Sequence, residues 1–181
     1  MISAMIRALP MLLLLCLLPR PAAAQSIEIS GGYAVARDPR DEITLPAGWM
    51  AGVAVGLTRT LSAVADVSGQ YKTVALVGSD ARLSVHTVMG GVCASAKLGR
   101  ITEFAQLLVG DVRTAGSAFG ATTVNHSLGI QPGVGVDYFL VSRFSARAQL
   151  DLRLIRSQPD AANRGYEYRF TAGVVYRVNP R

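Results

Sequence analysis

Long stretches of this chain alternate, residue by residue, between apolar and small or polar side chains. A period of two is the signature of a β-strand whose two faces meet unlike surroundings. The segment GWMAGVAVGLTRT shows it well. Trp49, Ala51, Val53, Val55 and Leu57 share one face, and Met50, Gly52, Ala54, Gly56 and Thr58 the other. After a tight Thr-Arg-Thr turn, Leu61, Ala63, Ala65, Val67 and Tyr71 alternate with Ser62, Val64, Asp66, Ser68 and Gln70. In SARAQLDLRL, Ala146, Ala148, Leu150, Leu152 and Leu154 oppose Ser145, Arg147, Gln149, Asp151 and Arg153. In YRFTAGVVYRV, Tyr168, Phe170, Ala172, Val174 and Tyr176 oppose Arg169, Thr171, Gly173, Val175 and Arg177. Segments 27–37, 82–94, 101–113 and 127–138 follow the pattern less sharply. The sum is about eight strands of roughly ten to thirteen residues, the length of a tilted membrane strand rather than of an ordinary globular one.

The connections alternate in length. Long ones are expected near 38–47, 73–81, 114–123 and 157–165, short ones near 59, 96–99 and 140–143. Outer-membrane barrels have this asymmetry, with short periplasmic turns and long extracellular loops. Period two alone cannot separate inside from outside, and a soluble lipocalin-type barrel would also alternate. Two features favour lipid outside. The polar face is rich in Gly, Ala and Ser and carries opposite charges at matched depths, which suits a narrow interior. The apolar face bears Tyr33, Trp49, Tyr71, Tyr138, Tyr168 and Tyr176 near strand ends, where interfacial girdles sit. The fold class expected is therefore all-β, an eight-stranded antiparallel up-and-down transmembrane β-barrel.

The first residues imply export. Arg7 gives a basic start, PMLLLLCLLP a short apolar run, and Ala22 and Ala24 a small-x-small cleavage site. Residues 1–24 read as a cleaved signal peptide and residues 25–181 as one barrel domain. Cys16 reads as part of the apolar run, since Leu15 stands where a lipoprotein signal has a small residue. Removing Arg7 and Arg20 lowers the formal charge from +6 to about +4, with no basic cluster of the kind nucleic-acid binders carry. Cys93 is then the one cysteine left, so no intramolecular disulfide can form.

The same residues resemble the small outer-membrane β-barrel proteins of the OmpA/OmpX type, in particular a largely uncharacterised bacterial group. The matching pieces are GGY in the first strand, GW and VADVSGQY in strands two and three, EFAQLLVG in strand five, GVGVDY in strand six, ARAQLDLRL in strand seven and YRFTAGVVYR in strand eight. Their order and spacing span nearly the whole chain after residue 24. The resemblance implies an outer-membrane location and an eight-stranded barrel, with no catalytic residues to carry over. One departure is that such barrels usually end on an aromatic residue, whereas this sequence ends VYRVNPR, with Tyr176 its last aromatic.

Little in the chain reads as chemistry. Gly129, Gly133 and Gly135 in GIQPGVG alternate with Ile130, Val134 and Val136, so they read as small interior residues of a strand rather than a phosphate loop. Ser84 and His86 share a face of strand four and could form a nucleophile–base pair of the kind barrel lipid A deacylases use, but neither an orienting acid nor an oxyanion site can be assigned. His126 is followed by Ser127, and adjacent strand residues point apart. No metal-ligand spacing is found. The polar face is expected to put Glu28, Asp66, Arg82, Asp137, Arg147, Asp151, Arg153, Arg169 and Arg177 inside, paired with one another. Folding strands six and seven about Ser142 sets Asp137 opposite Arg147, and closing strand one on strand eight brings Glu28 to Arg177. The functional expectation is a non-enzymatic envelope component or loop-presenting surface protein, with no catalytic, cofactor-binding or metal site. Its partners would be outer-membrane lipid, the barrel-insertion machinery and an extracellular partner at the long loops. The alternatives are a small weakly conducting pore, a lipid-modifying enzyme and a soluble periplasmic ligand-binding barrel.

Overall fold

The computed structural model describes residues 26–39, 43–76, 79–118, 121–156 and 164–178. The expected signal peptide, and parts of the connections 38–47 and 157–165, lie outside the described residues. Nine strands follow in order: β1 (Ile27–Asp38), β2 (Ile43–Leu45), β3 (Ala47–Gly56), β4 (Leu61–Leu76), β5 (Ser79–Leu98), β6 (Ile101–Ala118), β7 (Ala121–Val141), β8 (Phe144–Arg156) and β9 (Arg164–Arg177). Each long strand pairs antiparallel with its neighbours, and β1 pairs with β9, so the sheet closes on itself. The short β2 continues β3 along β1 beyond Pro46. Pro46 has no N–H to give the ladder, and the pairing slips by one residue across it, from Tyr33↔Trp49 to Ala36↔Leu45. The wall is therefore the expected eight-stranded antiparallel barrel.

The wall is sheared as well as closed. A cross-strand row can be followed from Gly31 through Ala51, Val67, Val88, Asp111, Leu128 and Arg156 to Arg164. Gly31 itself touches β9 at Val174. The row thus comes home at Arg164 rather than Val174, ten residues along the strand. Closure with this stagger forces the strands to tilt against the barrel axis and fixes a narrow bore.

Strand lengths depart from expectation on one side. β4 to β7 run 16, 20, 18 and 21 residues. Their ladders continue to Leu76↔Ser79 and Ala118↔Ala121. The long loops expected at 73–81 and 114–123 are therefore mostly strand. The extensions hold Thr114, Ser117, Thr122 and Thr123, with no contrast between faces, so they carry no period-two signal. The three turns at the other end are tight. Gly99 takes φ 63° and Ser142 φ 46°, the left-handed conformation that short hairpin turns require. Thr58 Oγ1 accepts the N–H of Leu61 (3.0 Å) and of Thr60 (3.3 Å), which closes the third.

The apolar face points outward. Val53, Val67, Val134, Leu150, Leu154 and Val174 are all exposed, as are Tyr33, Trp49, Tyr138 and Tyr168. Ala51 and Leu152 lie half-buried on the same face. One strand, β5, turns its polar face outward, contrary to expectation. In β5 the inward residues are Val85, Thr87 and Met89, so Arg82, Ser84 and His86 face out, not in. The ladder decides this: Gln70 is fully buried and pairs with Val85, so both must point to the lumen.

Glycines of β7 make room inside, as expected. A Cβ on Gly133 would collide with the Asp151 carboxylate, and one on Gly135 with the Phe104 ring. Gly133→Val should destabilise the barrel by about 1–3 kcal/mol through overpacking. Gly116→Val, where a Cβ meets open space, should be near neutral. Urea unfolding of the two variants checks this, and equal stability would refute the interior placement of Gly133.

Candidate functional site

The lumen is where polar side chains gather, and seven wall strands supply them among the described residues. At its centre stands Arg169 of β9, wholly buried. Its guanidinium donates to both carboxylate oxygens of Asp66 on β4, at 3.0 and 3.1 Å, and to Asp151 on β8 at 2.9 Å. The Asp66 contact crosses the bore between strands that are not neighbours. Asp151 also accepts from Gln149 Nε2 (2.9 and 3.0 Å) and from Gln106 Nε2 of β6 (3.1 Å).

Two residues further along β8, Arg153 is equally buried. It donates to Glu167 on β9, to Gln131 Oε1 on β7 (3.0 Å) and to Ser68 Oγ on β4 (3.4 Å). Ser68 in turn bonds Thr87 of β5 (2.7 Å) and accepts from Gln70 Nε2 (3.1 Å). A charge taken out of water is tolerable only when it is paired and fully hydrogen-bonded. Both arginines meet that condition. The remaining bore beside β5 and β6 is apolar: Val85, Met89, Leu108 and Val112 pack with Ala36 and Leu45. Salt-bridged side chains and this apolar cluster together fill the middle of the barrel.

Toward the turn end the bore opens into a cavity of about 680 Å³ that reaches Thr58, Arg59 and Ser142. Two ion pairs line it. Arg147 grips Asp137 with two bonds, at 2.7 and 2.8 Å, and stacks over Phe104 at 4.5 Å. Arg177 reaches Glu28 at 2.8 Å and Ser145 at 3.1 Å. Both pairs are cross-strand neighbours, Asp137↔Arg147 and Glu28↔Arg177, in the register expected from the sequence.

Of the nine charges expected inside, Arg82 alone among them faces out. Glu167 was missed. The expected final strand began at Tyr168, whereas β9 begins at Arg164; the alternation carried back one step from Tyr168 puts Glu167 on the same face as Arg169. Ser84 and His86 do share a face, but the outer one. Ser84 Oγ donates to the Ala115 carbonyl (3.4 Å), and His86 Nε2 meets the Tyr71 hydroxyl (3.1 Å) with the two rings edge to face. The two side chains are not brought together as a nucleophile and base. His126 Nδ1 lies 2.9 Å from Asp111 on the exposed wall. Among the described residues no group of three His, Cys, Asp or Glu side chains could hold a metal ion.

The Arg169 contacts make a direct test. Arg169→Leu strands Asp66 and Asp151 in the bore, and breaking a buried pair from one side costs about 3–5 kcal/mol. Urea unfolding should register that loss, whereas Arg143→Gln, which gives up an exposed bond to Tyr176, should cost under about 1 kcal/mol. Comparable losses in the two variants would contradict a central role for Arg169.

No family model matches the chain, and no curated protein matches it in sequence. Solved structures do match in fold. Ail, the attachment invasion locus protein of Yersinia pestis, superposes with a TM-score of 0.62 at 18% identity, covering 84% of this chain and 98% of Ail. Neisserial surface protein A gives a TM-score of 0.64 at 12% identity, covering 84% of this chain and 96% of that one. OprG of Pseudomonas aeruginosa gives 0.55 at 12% identity, covering 87% and 97%. In fold, then, the chain is a small eight-stranded antiparallel barrel similar to those of solved outer-membrane proteins.

Proposed function

We propose that this chain is a non-enzymatic β-barrel of a bacterial outer membrane, delivered there after export behind a cleaved signal peptide. On this reading it is a closed envelope component that presents the outer ends of its hairpins to a partner. Outer-membrane lipid and the barrel-insertion machinery are its other partners. The observation that carries the reading is the inverted polarity of the wall: exposed Val, Leu and aromatic side chains outside, buried Arg, Asp, Glu and Gln inside. In water such a surface would be an aggregation hazard; in a bilayer it is the required one. The lipocalin-type alternative would need the opposite arrangement. The closed-pore part rests on the Arg169 and Arg153 contacts, because one blocked layer is enough to stop a file of water. The enzyme alternative finds no support in the placement of Ser84 and His86.

A narrow pore remains as a second reading, favoured by the cavity at the turn end. The two readings separate in planar bilayers. Purified, refolded protein should show no steady single-channel conductance, while the Arg153→Ala, Arg169→Ala double variant should conduct if it still inserts. Steady conductance of the unaltered protein would promote the pore reading. Insertion itself is tested by Leu150→Arg. An arginine on the lipid face near the midplane costs about 2–4 kcal/mol, so folding into lipid vesicles should weaken by that amount. Unchanged folding of this variant would count against the membrane orientation.

A further inference from the structure

The upper outer wall gathers basic side chains. Arg113 on β6 pairs across the sheet with His86 on one side and His126 on the other. All three face outward. Arg37 on β1 and Arg156 on β8 are exposed on the same surface. Because the strands are tilted, a hydrogen-bonded row climbs by about one and a quarter residues per strand, the stagger of ten shared over eight strands. Correcting for that climb puts Arg37, Tyr71, His86, Arg113, His126 and Arg156 within about three residues of one level. They form a band around the barrel.

The band sits where apolar wall gives way to polar. Below it the outward residues are Val88, Val109, Ile130, Leu154 and Phe170; above it on β5–β7 Arg82, Ser84, Ser117 and Thr122 enter among Ala115 and Val124. Trp49, just beneath, donates its indole N–H to the Tyr71 hydroxyl at 3.2 Å. Amphipathic rings of this kind mark a membrane–water boundary. Among the described residues one carboxylate shares the band, Asp111, and it is taken up by His126. No described carboxylate forms a salt bridge with Arg37, Arg113 or Arg156. Among the described residues, each buried arginine inside the barrel is matched to an acid, whereas these rim arginines meet no described acid.

We infer that the arginine band is a binding surface for phosphate-bearing lipid headgroups, which supply the counter-charge that the protein withholds. Guanidinium groups suit phosphate because they donate two parallel bonds to it. The inference rests on the membrane reading above. The ligand surface is a belt rather than a pocket, so it collects several lipids around the perimeter.

The test is refolding into phosphatidylcholine vesicles containing phosphatidic acid. The motionally restricted fraction of spin-labelled phosphatidic acid is compared with that of spin-labelled phosphatidylcholine. Trp49 is the single tryptophan of the chain, so quenching of its emission by brominated acyl chains reports insertion independently. The protein should prefer phosphatidic acid by about fivefold or more, since one arginine near an anionic surface contributes on the order of 1 kcal/mol. The variant H86Q/R113Q/R156Q should insert and lose most of that preference. R100Q/R143Q, altered at the opposite end, should keep it. If the triple variant does not fold, R113Q alone is read, and an unchanged preference there overturns the proposal. Insertion with no preference overturns it while leaving the membrane reading intact, as does an equal loss in the two multiple variants. Failure to enter either kind of vesicle overturns both.

Discussion

The barrel depends on the three-way contact of Arg169 with Asp66 and Asp151. These residues come from β9, β4 and β8, so one guanidinium ties together opposite sides of the wall. The backbone ladder alone fixes each strand against its neighbours. Closure with its stagger fixes the width of the bore but does not fill it. The Arg169 contacts span that width, and Arg153 repeats the device two residues further along β8. The charges of such an interior stand or fall together, because one missing partner leaves a bare charge in a dry place. The glycines of β7 belong to the same arrangement, since Gly133 holds open the space that Asp151 fills.

How much of this was legible in the sequence depended on how strongly the two faces of each strand differ. In β3, β8 and β9 the contrast is sharp, and both strand and orientation could be read directly. The pairs Asp137–Arg147 and Glu28–Arg177 followed from hairpin centres and barrel closure alone, because antiparallel register is fixed once the turn is placed. β5 defeated the same reasoning. Its inner face carries Val85 and Met89 and its outer face Ser84 and His86, since part of the bore is filled by apolar packing rather than ions. Polarity then points the wrong way, and only pairing with β4 corrects it. Glu167 escaped because the start of its strand adjoins a connection without pattern. The activity itself was not legible. The polar residues that would draw attention as a site are consumed in holding the lumen together.

Surface and interior use arginine differently. Arg147, Arg153, Arg169 and Arg177 each bond a carboxylate within the barrel. Arg37, Arg113 and Arg156 stand outward at the upper edge of the apolar wall, with no such bond to a described carboxylate. The same side chain thus closes the molecule on itself in one place and leaves it open to its surroundings in another. The difference arises from the alternation of the strand: Arg113 follows the fully buried Val112 by one residue, and that one step carries it through the wall.

The extended ladders of β4 to β7 have a further consequence. Above the arginine band the outward side chains Ser84, Ser117 and Thr122 lie beyond most of the apolar wall, while Leu83 still packs against the filled bore. The register of these strands is still dictated from below, by long runs of pairing such as Arg82↔Ser117 to Leu98↔Ile101. Side chains there can change without disturbing either the ionic centre or the greasy exterior. The molecule therefore separates a base held by its own packing from a tip on which sequence can drift, and a lineage carrying this fold could rewrite that tip many times without rebuilding the barrel beneath.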